Sequence, residues 1–270
     1  MRFRGAVAIP AALVVALTVV GAWLDGSSSS SAGSPEGPAP VTASAASSTA
    51  PAVAAAATTV PLGGTSTPPS GPAAGGTSCT SVVHIGDSTS VGLMSPDYIA
   101  DPAQRVDAQY ARVGVTDFRD EIRGARSIVE RYQGEENADD VATREVAAGF
   151  DGCWVMALGT TDAANMNAGG VLTPAERIDR MLAIVGDDPV LWVNVKTLDP
   201  SDPNWANAQM AAWNEALVAA EARSPNLQVY DWAAVVQDAW FQDDGIHYTS
   251  AGNVERARLI ADALQDAFPG

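Results

Sequence analysis

From about residue 79 to the C-terminus, short apolar runs alternate with longer stretches of helical spacing. Five runs have strand length: Val82–Ile85, a weaker one at Phe118–Ile122, Trp154–Leu158, Val190–Val195 and Leu227–Tyr230. The third and fourth, in "CWVMALG" and "VLWVNVKT", are apolar with little polar alternation, the pattern of strands covered on both faces. Helices are predicted over Pro102–Arg112 and Asp139–Ala148. Thr173–Ile184 opens "TPAERIDRML", with Thr173 as N-cap, Pro174 at the first helical position and an acid in the first turn. "NWANAQMAAWNEALVAAEAR" reads as a long alanine-rich helix, and "TSAGNVERARLIADALQDAF" closes the chain with apolar positions at helical intervals. This alternation predicts an α/β fold, a three-layer α/β/α sandwich around a five-stranded parallel sheet with right-handed crossovers. Ligands of such sheets bind beyond the carboxyl ends of the strands.

The N-terminal part of the 270-residue chain follows a different pattern. Arg2 and Arg4 precede an uncharged apolar run, Gly5–Leu24, that ends at Asp25; residues 1–25 read as a signal peptide or a signal anchor. Val20-Gly21-Ala22 offers small residues for cleavage after Ala22, while about 20 apolar residues also suffice to span a bilayer. The protein is therefore expected to be secreted or extracytoplasmic, either released or anchored through residues 5–24. No cysteine follows closely, which excludes a lipoprotein anchor. Residues 26–78 are almost wholly Ser, Ala, Pro, Gly and Thr, with Glu36 the only charge. Such a segment buries too little apolar surface to offset its chain entropy and is expected to be a disordered linker. Its role is open between a spacer through a cell wall and a leader with no function.

The net charge of −17 falls entirely on residues 79–270, because Arg2 and Arg4 offset Asp25 and Glu36. A domain this acidic, with Lys196 as its only lysine, is repelled by phosphate backbones, so no nucleic-acid partner is expected. Cys79 and Cys153, the only cysteines, each enter an apolar run and fit either one disulfide of an exported protein or two buried thiols. As a disulfide, closing that loop contributes on the order of 4 kcal/mol. Two Cys and two His leave no structural zinc site to expect, and no dinucleotide or phosphate-binding glycine loop appears, so neither metal nor cofactor is implied. The domain is expected to act as a monomer.

Candidate chemistry starts where the first strand runs into "HIGDSTSVG". Ser88 sits just past the strand's carboxyl end, the position for a nucleophile. A serine hydroxyl needs an imidazole to take its proton. His84 lies in the same strand, with its backbone about 13 Å away at about 3.3 Å per residue, and is expected to pack in the core. His247, in the loop-like "QDDGIHYTSAG", is the remaining histidine. Asp244 stands three residues upstream, with Gly245 between them to let the chain fold back, so its carboxylate can orient the ring. The other reading of Asp243 and Asp244 is a capped turn. Oxyanion donors are expected from the Ser88 N–H and from the loops "IRGARS", with Gly124, and "ALGTTDAAN", with Gly159, Thr161 and Asp162. Both stretches also suit ordinary turns. Of the tryptophans from Trp154 to Trp240, strand and helix positions assign most to packing.

In these residues the chain resembles the SGNH (GDSL-like) hydrolase superfamily of exported actinobacterial type. "GDS" at Gly86–Ser88 is similar to its nucleophile block, and Gly124 to the second block's glycine, with Ala125 the alternative if "ARS" is aligned. "GTTD" at Gly159–Asp162 is similar to the third block, and "DGIH" at Asp244–His247 to the last. The likeness runs from about Ser81 to Ala267, in order. It implies the flavodoxin-like SGNH fold, a catalytic triad of Ser88, His247 and Asp244, and an oxyanion hole from Ser88, Gly124 and Thr161. One departure stands out: Thr161 occupies the place of the family's donor Asn, so it either donates through its hydroxyl or marks a slow or specialised enzyme. The activity implied is a serine esterase or acyl hydrolase on an O-acyl ester of an envelope glycan or lipid. The rivals are an O-acyltransferase with the same triad, a non-catalytic glycan-binding relative, and an inert envelope protein.

Overall fold

The structure, a computed structural model, describes residues 75–270. The expected signal or anchor segment, and the linker up to residue 74, lie outside the described residues. Five strands, β1 (Ser81–Gly86), β2 (Asp117–Ile122), β3 (Cys153–Ala157), β4 (Val190–Val193) and β5 (Leu227–Tyr230), form one sheet in the order β2-β1-β3-β4-β5. All four pairings are parallel. The helices are α1 (Ser88–Val91), α2 (Val106–Arg112), α3 (Ala138–Ala147), α4 (Thr160–Asn167), α5 (Pro174–Val185), α6 (Asn207–Glu221), α7 (Trp232–Val235) and α8 (Ser250–Ala267). Alternation along the strands divides the core between the two faces. Val83, Ile85, Trp154, Met156 and Trp192 pack with α3, α5 and α6. Val82, Val155, Ala157, Leu191 and Val193 pack with α2 and α8. The expected three-layer α/β/α sandwich with a five-stranded parallel sheet is what forms.

Local chemistry explains the element boundaries. Thr173 caps α5 as predicted: its hydroxyl accepts from the Glu176 N–H at 3.3 Å, and Glu176 accepts from the Thr173 N–H at 2.8 Å. β2 has the weakest apolar signal because it is an edge strand, with Asp117 and Asp120 exposed. β4 stops at Val193 rather than Val195. Asn194 turns its side chain to Asp231 at 2.8 Å and to the Ala233 N–H at 2.7 Å, while the Asn214 amide takes both the N–H and the carbonyl of Val195. The helix expected over Pro102–Arg112 is interrupted at Arg105, whose ψ of 158° is extended; a 3-10 turn, Pro102–Gln104, precedes α2.

Residues 75–78, placed in the linker on composition, are packed against the end of the chain. Thr77 pairs with Pro269 in an antiparallel bridge and donates from its hydroxyl to the Phe268 carbonyl at 2.8 Å. The two cysteines form a disulfide, with Cα atoms 5.6 Å apart, joining the approach to β1 to the first residue of β3.

Candidate active site

Gly86 ends β1 where the next helix turns back tightly: a Cβ there would lie 2.8 Å from Ser90 Cβ. Asp87 then N-caps α1, accepting from the Thr89 N–H at 2.9 Å and the Thr89 hydroxyl at 2.7 Å. Its other oxygen accepts from the Thr161 N–H at 3.4 Å, which ties the β1–α1 turn to the start of α4. Burial pushes the Asp87 carboxyl above its ordinary range, against the pull of these hydrogen bonds and of the Arg256 charge. Held this way, Ser88 stands at the first position of α1, beyond the carboxyl edge of the sheet.

His247 reaches it from the loop before α8. Its Nε2 lies 2.9 Å from Ser88 Oγ, and its Nδ1 lies 2.6 Å from Asp244 Oδ2. A carboxylate can only accept, so Nδ1 carries the proton and Nε2 is free to receive the one on Ser88. Asp244 is fixed in turn: its Oδ1 accepts from the N–H groups of Ile246 at 2.8 Å and His247 at 2.9 Å. Gly245, at φ 67°, supplies the left-handed residue this fold-back needs. Partial burial raises the Asp244 pKa, but the bonds from the His247 ring and the two backbone N–H groups outweigh it and hold the carboxyl below its ordinary value.

His84, set aside as a base, is buried in the sheet with its Nδ1 2.9 Å from the Tyr110 hydroxyl. Burial, followed by the Arg256 charge, lowers its pKa from 6.5 to about 3. The unfolded chain therefore binds a proton at His84 below pH 6.5 that the folded protein refuses until about pH 3, and this difference removes stability as pH falls through that window. Relative to His84→Gln, the wild type is expected to lose about 1.4 kcal/mol per pH unit at most between those values, read by urea unfolding at a series of pH values. A difference that stays constant with pH would show that His84 is protonated in the fold.

A cavity of about 300 Å³ opens over Ser88 and His247, walled also by Val91, Tyr98, Gly124 and Gln242. Ser88, His247 and Gly124 thus share one cavity, with Asp244 behind the ring. Ala125, beside Gly124, holds φ 55°, a left-handed conformation that favours glycine and matches the alternative alignment of the second block. Thr161 is placed differently from the expectation for an oxyanion donor. It is not on the cavity wall, its N–H is taken by Asp87, and its hydroxyl is buried without a hydrogen-bond partner. Thr161→Val is expected to change kcat/KM by less than about threefold and to leave stability equal or slightly higher, since a buried unpaired hydroxyl is lost. A hundredfold fall in esterase assays would instead make Thr161 an oxyanion donor. Gly159 also has a packing reason beyond ligand approach: at φ 135° it lies against the fully buried Trp213 ring, where any Cβ would collide.

Sequence reading missed the ion-pair network that fastens the Gly124 loop. Arg177, fully buried on α5, donates to Glu130 at 2.5 and 2.6 Å and to Asp162 at 2.9 Å. Asp162 Oδ1 also accepts from the Ile128 N–H at 2.9 Å, and Glu130 accepts from the Ser127 hydroxyl at 2.8 Å. Burial raises the Glu130 carboxyl, but Arg177 and Ser127 overcome it and bring it to about 2; burial carries Asp162 up to about 7. Asp162 was singled out in the third block, but its partners lie far apart in sequence and no spacing rule reveals them. Among the described residues no group of His, Cys, Asp and Glu is placed to hold a metal ion.

No family model and no curated protein matches the chain in sequence. Solved structures do match in shape. Est24, a carbohydrate acetylesterase from Sinorhizobium meliloti, superposes with a TM-score of 0.55 at 18% identity, over 70% of this chain and 99% of its own. An inhibitor-bound aryl esterase of M. smegmatis gives 0.54 at 17%, over 70% and 100%. A lipase/acylhydrolase from Enterococcus faecalis gives 0.53 at 18%, over 70% and 96%. At these identities the likeness is one of architecture: by fold the chain is similar to these esterases and to this lipase/acylhydrolase.

Proposed function

We propose that the protein is a serine ester hydrolase that releases a short acyl group from an O-acyl ester. The observation that carries this reading is the relay from Ser88 Oγ through His247 to Asp244, at 2.9 and 2.6 Å, opening into a cavity. Ser88 Oγ attacks the acyl carbon as its proton passes to His247 Nε2, and Asp244 stabilises the imidazolium. The Ser88 and Gly124 N–H groups receive the oxyanion. His247 returns the proton to the leaving alcohol oxygen as the ester C–O bond breaks. Water, deprotonated by the same ring, then attacks the acyl-enzyme, giving the acid and restoring Ser88. A cavity of about 300 Å³ is at the small end for ligand sites and suits a short acyl chain. The likeness to a carbohydrate acetylesterase supports a sugar as the alcohol. The disulfide is compatible with an extracellular place of action, and none of the described helices is long and apolar enough to cross a membrane. The test is hydrolysis of phenyl acetate by the wild type beside Ser88→Ala; equal rates in the two would remove Ser88 from the chemistry.

A further inference from the structure

A second cavity, of about 830 Å³, adjoins the serine cavity, and Tyr98 is a wall of both. We propose that this groove, between Tyr98 and Trp240, binds the neutral oligosaccharide chain whose ester is presented to Ser88. The inference rests on the esterase reading and adds to it where the alcohol lies and what charge it carries.

The aromatic walls are built to stay in place. Trp240 is half-buried and stacks on the fully buried Trp232, with ring centroids 5.9 Å apart and planes 20° apart. Its carbonyl accepts from the Thr249 N–H at 2.8 Å and the Thr249 hydroxyl at 3.1 Å, which fixes its backbone to the N-cap of α8. Tyr98 is 38% exposed, a large ring left open to solvent at the mouth of the serine cavity. Such rings offer a flat apolar face to the C–H face of a sugar and cost little side-chain entropy on binding. The same groove is lined by the exposed side-chain amides of Gln104 and Gln237, neither hydrogen-bonded within the described residues and each able to donate to and accept from a hydroxyl.

Charge excludes the other large class of ligand. The groove's cation, Arg258, is held by Glu255 at 2.8 Å and by Asp262 at 2.8 Å, so it has no unopposed charge for a phosphate or a uronate. In a protein of net charge −17, an anionic polymer is repelled at long range as well. Aromatic faces, free amides and a lining in which Asp101 and Glu255 outnumber Arg258 together favour a neutral, hydroxyl-rich chain over an anionic one.

The test uses the full chain carrying Ser88→Ala, titrated with xylotetraose, chitotetraose and, as the anionic control, tetragalacturonate, by calorimetry. At least one neutral tetrasaccharide is expected to bind in the millimolar range or tighter and the anionic one not to bind. Tyr98→Ala and Gln237→Ala are each expected to weaken binding about fivefold or more. Both side chains are exposed or half-exposed, and matching circular dichroism and unfolding midpoints will show that each variant folds. Binding of neither neutral sugar, or binding indifferent to both substitutions, overturns the inference. Wild-type turnover of phenyl acetate, measured in parallel, separates the two readings. Turnover without sugar binding removes the groove assignment alone, whereas sugar binding that depends on Tyr98 and Gln237 without turnover upholds the groove and removes the serine chemistry.

Discussion

Ser88→Ala is expected to lower kcat on a short-chain aryl ester by about 10⁴-fold or more while leaving the fold intact. The size follows from the proposed role: the substitution deletes the atom that would form the acyl-enzyme, and water from bulk has no equivalent position 2.9 Å from His247 Nε2. Stability is spared because the hydroxyl makes this one side-chain contact at the cavity, whereas the turn itself is held by Asp87 through Thr89 and Thr161. His247→Ala is expected to cost a similar factor, and the double variant little more than either, because the two act as one unit. Steady-state rates of the four proteins make the comparison. Losses that multiply across the two sites would mean that serine and imidazole serve separate steps.

That Ser88 and His247, the proposed nucleophile and base, were legible in sequence as a pair has a physical reason. Each is placed by local chemistry: a buried strand ending in a glycine and an acid that caps the next turn, and an Asp-x-x-His segment in which backbone N–H groups and Nδ1 all turn to one carboxylate. The central strands showed because both their faces are covered, whereas β2 showed weakly because the sheet edge lets charged residues in. In sequence α4 looks like a loop for an equally concrete reason. It begins directly at Gly159 with no side-chain cap, and Thr160 to Ala164 are all buried, so neither a start signal nor an amphipathic stripe marks it. The support of the Gly124 loop was hidden more deeply, since Glu130, Asp162 and Arg177 are joined only by the meeting of three segments that the sheet brings together.

That hidden network carries the second large expected effect. Arg177→Met is expected to destabilise the protein by about 3–5 kcal/mol, because it removes the cation from the fully buried Asp162 as well as from the partly exposed Glu130. Asp162, already raised by burial, would then keep its proton to a higher pH, and Glu130 would lose the partner that holds it near 2. The energy is the cost of stranding charge, so the triple variant Arg177→Met, Glu130→Gln, Asp162→Asn should recover most of the unfolding midpoint in urea. Activity should part from stability here. The Ile128 N–H loses a charged acceptor when Asp162 becomes Asn, and Ser127 loses one when Glu130 becomes Gln, so the loop bearing Gly124 is held less firmly even in a stable protein. With the proposed oxyanion donor, the Gly124 N–H, displaced by a fraction of an ångström to about 1 Å, kcat in the triple variant is expected to fall by about 10- to 100-fold with KM little changed. A triple variant that is stable and fully active would show that the Gly124 loop holds its shape through its own backbone, the left-handed Ala125 included, and that Arg177 serves the fold alone.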